Sequence, residues 1–220
     1  MVPFVEAQNE GVWRGTNRGP IRNMLPMLPS HDEIEDQPAY FPIVVSQTIN
    51  FTEGWNWFST YIEKDPVELL EAMETALGEN GLQIKSKNVV TAWDDDEEEW
   101  DGGLQSIGLS NGSTYMLETN ATCTVTLQGN PSNPADYAIS LNPKAWTWIG
   151  FPCAVEVDIE DALAGFEAKE GDQIKSKTKV SSWDEEEEEW SGGMTKLTPG
   201  TGYMFYSNST EVRTLVFSTK

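Results

Sequence analysis

The acidic stretch Trp93-Asp94-Asp95-Asp96-Glu97-Glu98-Glu99-Trp100 has a second copy in this chain. Trp183-Asp184-Glu185-Glu186-Glu187-Glu188-Glu189-Trp190 repeats it 90 residues later. The same spacing relates Ile84-Lys85-Ser86-Lys87 to Ile174-Lys175-Ser176-Lys177. Self-similarity at a fixed spacing indicates a structural unit that has been copied. The sequence therefore predicts two versions of one fold unit.

The repeat extends on both sides of these stretches. Upstream, Trp55-Asn56-Trp57 matches Trp146-Thr147-Trp148 at a shift of 91 residues. Downstream, Tyr115-Met116 matches Tyr203-Met204 at a shift of 88 residues. A drift of three residues over the unit is typical of small changes in loop length. Residues found in both copies are expected to be characteristic of the unit.

The domain organisation follows from the extent of the repeat. We predict an N-terminal arm or linker over residues 1–45, module 1 over residues 46–129 and module 2 over residues 135–220. The arm is rich in proline and charge, which is typical of an extended segment. Its apolar residues predict that it docks on a neighbouring domain or subunit. Turn-forming residues over 130–134 predict the joint between the modules.

Each copy is predicted to be mostly strand with one short helix. Asp65-Pro66 is a helix start and Gly78 a helix stop, and in the second copy Asp158 and Gly171 take these places. Alternating apolar residues predict strands in the rest of each copy. The expected fold class is mainly β with one short helix per repeat (α+β). We expect two tandem homologous, sandwich-like sheet modules, packed about a pseudo-two-fold axis or side by side.

The charge of the chain excludes several partners. There are 36 acidic against 14 basic residues, for a net charge of −22. Nucleic-acid binding requires lysine and arginine to displace counterions, and anionic membranes attract the same residues. No apolar run is long enough for membrane insertion. We therefore predict neither a nucleic-acid partner nor membrane insertion.

The sequence favours a protein that is not an enzyme. Its one histidine, His31, lies outside both repeats, so the duplicated part has no histidine general base. A glycosidase needs two carboxylates at a defined separation across a cleft. A contiguous acidic run at an exposed hairpin tip does not provide that separation. No cofactor is predicted apart from the cation considered next.

The two acidic runs allow three interpretations. They are solvated hairpin tips, a docking patch for a basic partner, or sites for a hard cation such as Ca²⁺. If the chain turns at Asp96-Glu97, Trp93 faces Trp100 across the hairpin. The candidate cation ligands are Asp94, Asp95, Asp96, Asp184, Glu185 and Glu186.

The tryptophans divide into two predicted groups. Trp55, Trp57, Trp146 and Trp148 recur in strands that read as central, and they are predicted to be buried core residues. The tryptophans that flank the acidic runs border solvent in this interpretation. The candidates for contact with a ligand or partner are therefore Trp93, Trp100, Trp183 and Trp190.

The two cysteines leave two alternatives open. Cys123 and Cys153 lie 30 residues apart, at positions that are not equivalent in the repeat. A disulfide between them would contribute about 3 kcal/mol in the chain-entropy model. Two buried thiols are the other alternative. Pairing is favoured only for an exported protein.

Four stretches resemble a known module. They are Gly54-Trp55-Asn56-Trp57-Phe58-Ser59-Thr60-Tyr61, Trp148-Ile149-Gly150-Phe151-Pro152, Gly171-Asp172-Gln173-Ile174-Lys175-Ser176 and Pro199-Gly200-Thr201-Gly202-Tyr203-Met204. Together they resemble a tandem module of secreted and surface proteins from Bacteroidetes. The resemblance implies export, multidomain parent proteins and no catalysis by the module. Those relatives carry a shorter, mixed loop in place of the acidic runs, and no binding residues carry over.

The expected function is that of a non-catalytic structural or adhesion module, extracellular or at the bacterial cell surface. Its partner there would be a protein or a glycan. One alternative is a decoration or fibre protein of a phage virion, which a start at Met1, the N-terminal arm and the acidity favour. Another is a glycan-binding module.

Overall fold

The computed structural model describes residues 43–218. These residues belong to one compact unit. The predicted arm over residues 1–45 lies almost wholly outside the described residues, as does His31.

The first half of the described chain contains eight strands and a helix. These are β1 (Val45–Phe51), β2 (Gly54–Phe58), β3 (Ile62–Glu63), α1 (Pro66–Leu77), β4 (Gly81–Lys85), β5 (Val90–Asp94), β6 (Glu99–Gly102), β7 (Tyr115–Thr119) and β8 (Cys123–Pro131). They form an antiparallel five-stranded sheet in the order β2-β7-β4-β5-β6. A second sheet has the order β1-β8-β3.

The second half contains nine strands and a single helical turn. These are β9 (Ile139–Leu141), β10 (Ala145–Ile149), β11 (Val157–Asp158), α2 (Ile159–Ala162), β12 (Gln173–Lys175), β13 (Val180–Asp184), β14 (Glu189–Gly192), β15 (Lys196–Leu197), β16 (Tyr203–Ser207) and β17 (Arg213–Leu215). Its five-stranded sheet has the order β10-β16-β12-β13-β14. Two short sheets pair β9 with β17 and β11 with β15.

The fold is mainly β, as the sequence predicted. The two five-stranded sheets share one strand order: an aromatic edge strand, the strand containing Tyr115 or Tyr203, the lysine strand, and then the acidic hairpin. The smaller sheets differ, because β3 pairs with β8 whereas β11 pairs with β15.

Helix α1 has the start and stop that the sequence predicted. The Asp65 side chain accepts hydrogen bonds from the backbone N–H groups of Val67 and Glu68, and Gly78 ends the helix with φ of 52°. The buried face carries Leu69, Leu70, Met73 and Leu77.

The helix predicted after Asp158 is present, but it is much shorter than α1. Helix α2 ends after four residues, and the Asp158 side chain makes no capping hydrogen bond. Gly165 would lie in the interior of a longer helix, where glycine costs about 1 kcal/mol relative to alanine. Beyond the end of α2, Phe166 packs against Phe205, with ring centroids 5.3 Å apart.

Each half has its own hydrophobic core. In the first, Ile84 and Leu117 of the five-stranded sheet pack with Leu70 and Met73 of α1 and with Val125 of β8. The second core is built in the same way from its own five-stranded sheet and the short strands beside it. The inner faces of these sheets are therefore buried, and their outer faces are left for contact with solvent or ligands.

The two cysteines are free thiols in this structure. Cys123 packs against the first core, and Cys153 lies within the second. Of the two alternatives left open by the sequence, the structure therefore has the unpaired thiols. The physical reason is that each side chain is taken up by a different core.

Both thiols are expected to react only slowly in the native protein. Burial raises the pKa of Cys153 to about 11 and also raises the pKa of Cys123. Since the thiolate is the reactive form, iodoacetamide at neutral pH should label partly exposed Cys123 faster than Cys153. In urea without reductant both should be labelled, as measured by mass spectrometry. Full protection in urea would show a disulfide instead.

Candidate functional site

The two acidic runs form β-hairpin tips, as predicted. Trp93 pairs with Trp100 across the first hairpin, and Trp183 pairs with Trp190 across the second. The ring centroids are 6.1 Å apart in the first pair and 5.7 Å apart in the second, and both pairs pack edge to face. Such a cross-strand aromatic pair stabilises the hairpin by up to about 1 kcal/mol.

The first aspartate of each run shapes the turn. Asp94 Oδ1 accepts hydrogen bonds from the backbone N–H groups two and three residues further on, at 2.8 and 3.2 Å. Asp184 does the same at 3.0 and 3.2 Å. Glu98 and Glu188 then take the same left-handed conformation, with φ of 54°. These two aspartates therefore have a structural role in the turn.

The predicted cation site is not supported. Asp95, Asp96, Glu185 and Glu186 all lie exposed at the two tips. Within residues 43–218, no group of three or more His, Cys, Asp or Glu side chains is placed to hold a metal. The other two candidate ligands, Asp94 and Asp184, accept backbone hydrogen bonds within their own turns.

The hairpin tryptophans are less accessible than predicted. Trp190 is only 7% exposed and packs against Phe205. Trp93, Trp100 and Trp183 are half-buried. Their low exposure follows from the register of the strands, which places these rings on the same sheet face as buried Thr91 and Ser181. The prediction that all four border solvent is therefore wrong for Trp190.

A cleft separates helix α1 from the first acidic hairpin. It has a volume of about 370 Å³ and is lined by Glu71, Glu74, Thr75, Gly78, Trp93, Glu98, Glu99 and Trp100. The pKa of Glu74 is raised to about 7, mainly by burial and to a smaller extent by the neighbouring charge of Glu71. A hydrogen bond of 2.7 Å from Gln105 Nε2 acts in the opposite direction. Glu74 is therefore a proton-binding group within the physiological range.

The stability of the protein is expected to fall as the pH rises from 4.5 to 7 because of Glu74. In that window the unfolded chain loses the Glu74 proton while the folded protein keeps it. Folding must then take up a proton, and the free energy of unfolding falls as the pH rises. Glu74→Gln should reduce this loss of stability by up to about 3 kcal/mol. Urea unfolding across the window measures it, with exposed Glu79→Gln as the control. Equal pH slopes for the wild type and Glu74→Gln would contradict the assignment.

The other four tryptophans lie on the outer faces of the two sheets. Trp55 and Trp57 lie on edge strand β2, and Trp146 and Trp148 lie on edge strand β10. All four are half-buried, so their prediction as core residues is wrong. Successive strand residues face opposite ways, and the inward positions after Trp57 and Trp148 are taken by fully buried residues of the two cores.

A lysine lies against the aromatic strand in each sheet. Lys85 Nζ is 4.0 Å from the centroid of the Trp55 ring, and Lys175 Nζ is 3.9 Å from that of Trp146. Lys175 Nζ is also 6.0 Å from the Trp57 ring of the other sheet. A cation over an aromatic face is attracted by about 0.5–2 kcal/mol. Lys175 therefore lies between tryptophans from both sheets.

Two further lysines connect the sheets reciprocally. Lys87 Nζ donates a hydrogen bond to the backbone oxygen of Trp146 at 3.4 Å. Lys177 Nζ donates to the backbone oxygen of Trp55 at 2.5 Å. These are corresponding positions in the sequence repeat. Each half thus supplies a lysine to the aromatic strand of the other.

Backbone hydrogen bonds also connect the two halves of the described chain, and they too come in a reciprocal pair. Ser59 N donates to Gly200 O at 3.2 Å, and Gly150 N donates to Gly112 O at 3.0 Å. Buried Thr114 adds a side-chain link, since its hydroxyl donates to Ile149 O at 2.6 Å. The junction is therefore held by main-chain atoms, which fixes the positions of the four tryptophans.

We call eight residues the aromatic–lysine surface. They are Trp55, Trp57, Lys85, Lys87, Trp146, Trp148, Lys175 and Lys177. None of its four lysines forms an ion pair with a carboxylate of residues 43–218. The chain has 36 acidic residues, yet these four ammonium groups, which have no carboxylate partner within residues 43–218, lie beside four tryptophans.

Two clefts border the aromatic–lysine surface. The larger, of about 420 Å³, has Lys87 and Trp148 in its lining, with the polar side chains of Asn88, Ser113 and Asn142. A smaller cleft of about 240 Å³ has Trp57 in its lining. Volumes of about 300–1,000 Å³ are typical of sites that take small molecules or parts of larger ones. Trp57 and Trp148 thus each border a recess in the surface.

Comparison with known proteins adds no relative. No protein-family model matches the chain, and no similar curated protein or solved structure was found. In the part of the chain that the structure describes, no helix has both the length and the apolar character to cross a bilayer. The resemblance to the Bacteroidetes module and the predicted function therefore remain predictions.

Proposed function

We propose that residues 46–129 and 135–220 are two copies of one module, related by a pseudo-two-fold axis at their junction. The shared strand order of the five-stranded sheets supports this. So does the exchange of lysine and backbone hydrogen bonds between corresponding positions. A two-fold interface requires such reciprocal contacts.

The chain acts, in this proposal, as a non-catalytic structural or adhesion module of a secreted or cell-surface bacterial protein. The observation that carries it is the aromatic–lysine surface. Half-buried tryptophans on an outer sheet face leave apolar area in contact with water, which is typical of a binding surface. Backbone hydrogen bonds hold the surface in place, so little ordering is needed when a partner binds. The extracellular location depends on the family resemblance.

A glycan-binding role is the second candidate, and the same tryptophans favour it. Indole rings offer flat apolar faces that stack on the C–H faces of sugar rings. Trp57 and Trp148 border the two clefts, where a sugar ring has room to reach them. This role is one form of adhesion and needs no further surface.

The adhesion proposal is tested with beads coated with the full chain. We expect these beads to be retained on the surface of the cells that naturally produce the protein, several-fold above albumin-coated beads. Trp57→Ala/Trp148→Ala beads should fall to the albumin level. A matched control, Val155→Ala/Val212→Ala, truncates two exposed side chains outside the surface and should leave retention unchanged.

Labelling of intact cells with an impermeant amine reagent tests the location. The chain should be labelled before the cells are lysed. Protection of the chain until lysis would refute the surface location. Equal retention of wild-type and Trp57→Ala/Trp148→Ala beads would refute the role of the aromatic–lysine surface.

A further inference from the structure

We propose that the ligand of the aromatic–lysine surface is a carboxylate-bearing glycan, such as a polyuronate. The inference rests on the proposed adhesion function and names the chemical class of its ligand. It follows from three properties of the surface: ammonium groups that have no carboxylate partner within residues 43–218, its tryptophan faces, and the separation of its lysines from the acidic runs along the strands.

The ammonium groups define the charge of the ligand. Lys85 and Lys175 lie over tryptophan rings, and Lys87 and Lys177 donate to backbone carbonyls. None has a carboxylate partner within residues 43–218. Each ammonium has three donors, so donors remain for ligand oxygens. Hydrogen bonds from an ammonium to a carboxylate are about twice as strong as neutral ones.

The tryptophans define the rest of the ligand. A carboxylate alone would need only the lysines, whereas Trp57 and Trp148 border the two clefts and offer apolar ring faces beside those lysines. A polymer that carries an apolar ring face and a carboxylate on each unit matches both features. The clefts beside Trp57 and Trp148 add asparagine and serine side chains, which hydrogen-bond hydroxyl groups.

The net charge of −22 does not prevent binding of an anionic polymer. In the first sheet Lys85 pairs with Val90 of the neighbouring strand β5, and the acidic run begins at Asp94, four residues further along that strand. At about 3.4 Å per residue, the start of the run is therefore about 14 Å from Lys85 along the strand direction. The screening length at physiological salt is about 8 Å. The lysines in contact with the ligand therefore act more strongly than the hairpin carboxylates. Glu118 lies nearer, opposite Trp55 on the same sheet face, and its Oε2 accepts a hydrogen bond from Gln83 Nε2 at 2.6 Å. The four lysines of the surface outnumber this carboxylate.

The test measures binding of the full chain to three probes by calorimetry at about 0.15 M NaCl. They are an oligogalacturonate, its fully methyl-esterified form and poly-L-glutamate of similar length. The oligogalacturonate should bind at least tenfold more tightly than either of the others. Methyl esterification removes the charge and keeps the ring, whereas polyglutamate keeps the charge and removes the ring.

Variants assign the binding to the surface. Lys85→Gln/Lys175→Gln should weaken oligogalacturonate binding at least tenfold, and Lys85→Arg/Lys175→Arg should restore most of it. Lys64→Gln/Lys169→Gln makes the same charge change outside the surface and should have no effect. Near-ultraviolet circular dichroism of each variant checks that the aromatic packing is retained.

Each contrary outcome overturns a stated part of the inference. Equal affinity for the oligogalacturonate and its methyl ester would refute the requirement for a carboxylate. Equal affinity for the oligogalacturonate and polyglutamate would refute the requirement for a glycan. Binding of no probe, or unchanged binding by the glutamine variant, refutes the inference as a whole. Bead retention tests the adhesion proposal separately. If the beads were retained but no glycan bound, the adhesion proposal would hold and its ligand would be of another class.

Discussion

Asp172→Ala is expected to destabilise the protein by about 3–5 kcal/mol. Asp172 is fully buried, and its Oδ1 lies 2.6 Å from Arg213 Nη2. The same carboxylate accepts backbone hydrogen bonds from Asn208 at 2.7 Å and from Lys169 at 2.9 Å. The substitution would leave a largely buried guanidinium and two N–H groups without their acceptor. Removing one partner of a buried ion pair is among the costliest single changes in a fold.

Equilibrium urea unfolding measures this effect. Asp161→Ala is the matched control, because Asp161 is exposed and its loss should change the free energy of unfolding by no more than about 0.5 kcal/mol. Arg213 stays stacked on Phe166, with 4.8 Å between its guanidinium carbon and the ring centroid, so part of the local packing survives. A loss below about 1 kcal/mol for Asp172→Ala would contradict the ion pair.

Gly150→Ala is expected to cost about 3 kcal/mol or more. A Cβ at this position would lie 2.1 Å from the backbone oxygen of Asn111 and 2.6 Å from the backbone nitrogen of Ser113. Main-chain atoms cannot turn away as a side chain can, so the two halves would have to separate. The backbone hydrogen bond from Gly150 to Gly112 would lengthen with them.

The control for this prediction is Gly165→Ala. A Cβ there meets nothing within 4 Å, and the effect on the free energy of unfolding should stay within about 1 kcal/mol. Urea unfolding, followed by the combined fluorescence of the nine tryptophans, compares the two variants. Equal stability of Gly150→Ala and the wild type would show that the halves are not closely packed here.

Several elements could be predicted because their causes are local. The hairpins follow from paired tryptophans around a polar run, and each turn is closed by the first aspartate of that run. Helix α1 follows from a cap, a proline, an apolar stripe and a glycine, all within 14 residues from Asp65 to Gly78. The second helix starts after Asp158 as predicted but ends after four residues. Gly165, which would cost about 1 kcal/mol in the interior of a longer helix, lies just beyond its end.

The candidate site was missed for a different reason. The two-residue period of a strand shows that Trp55 and Trp57 share a face, but it does not show which face is buried. Both faces of β2 carry large apolar residues, so the interpretation as core was natural and wrong. One usable signal was present in the sequence. The lysines at 85 and 87 recur at 175 and 177, in a chain with few basic residues.

The sequence by itself determined that the chain repeats, that it is mainly β and that its acids lie at hairpin tips. These properties depend on the order of neighbouring residues. Only the tertiary structure decided that Lys87 and Lys177 each reach the other half, that four tryptophans face outward and that the cysteines belong to separate cores. The Lys177 contact alone joins residues that are 122 positions apart. Such contacts depend on how two sheets meet, which no local pattern of residues specifies.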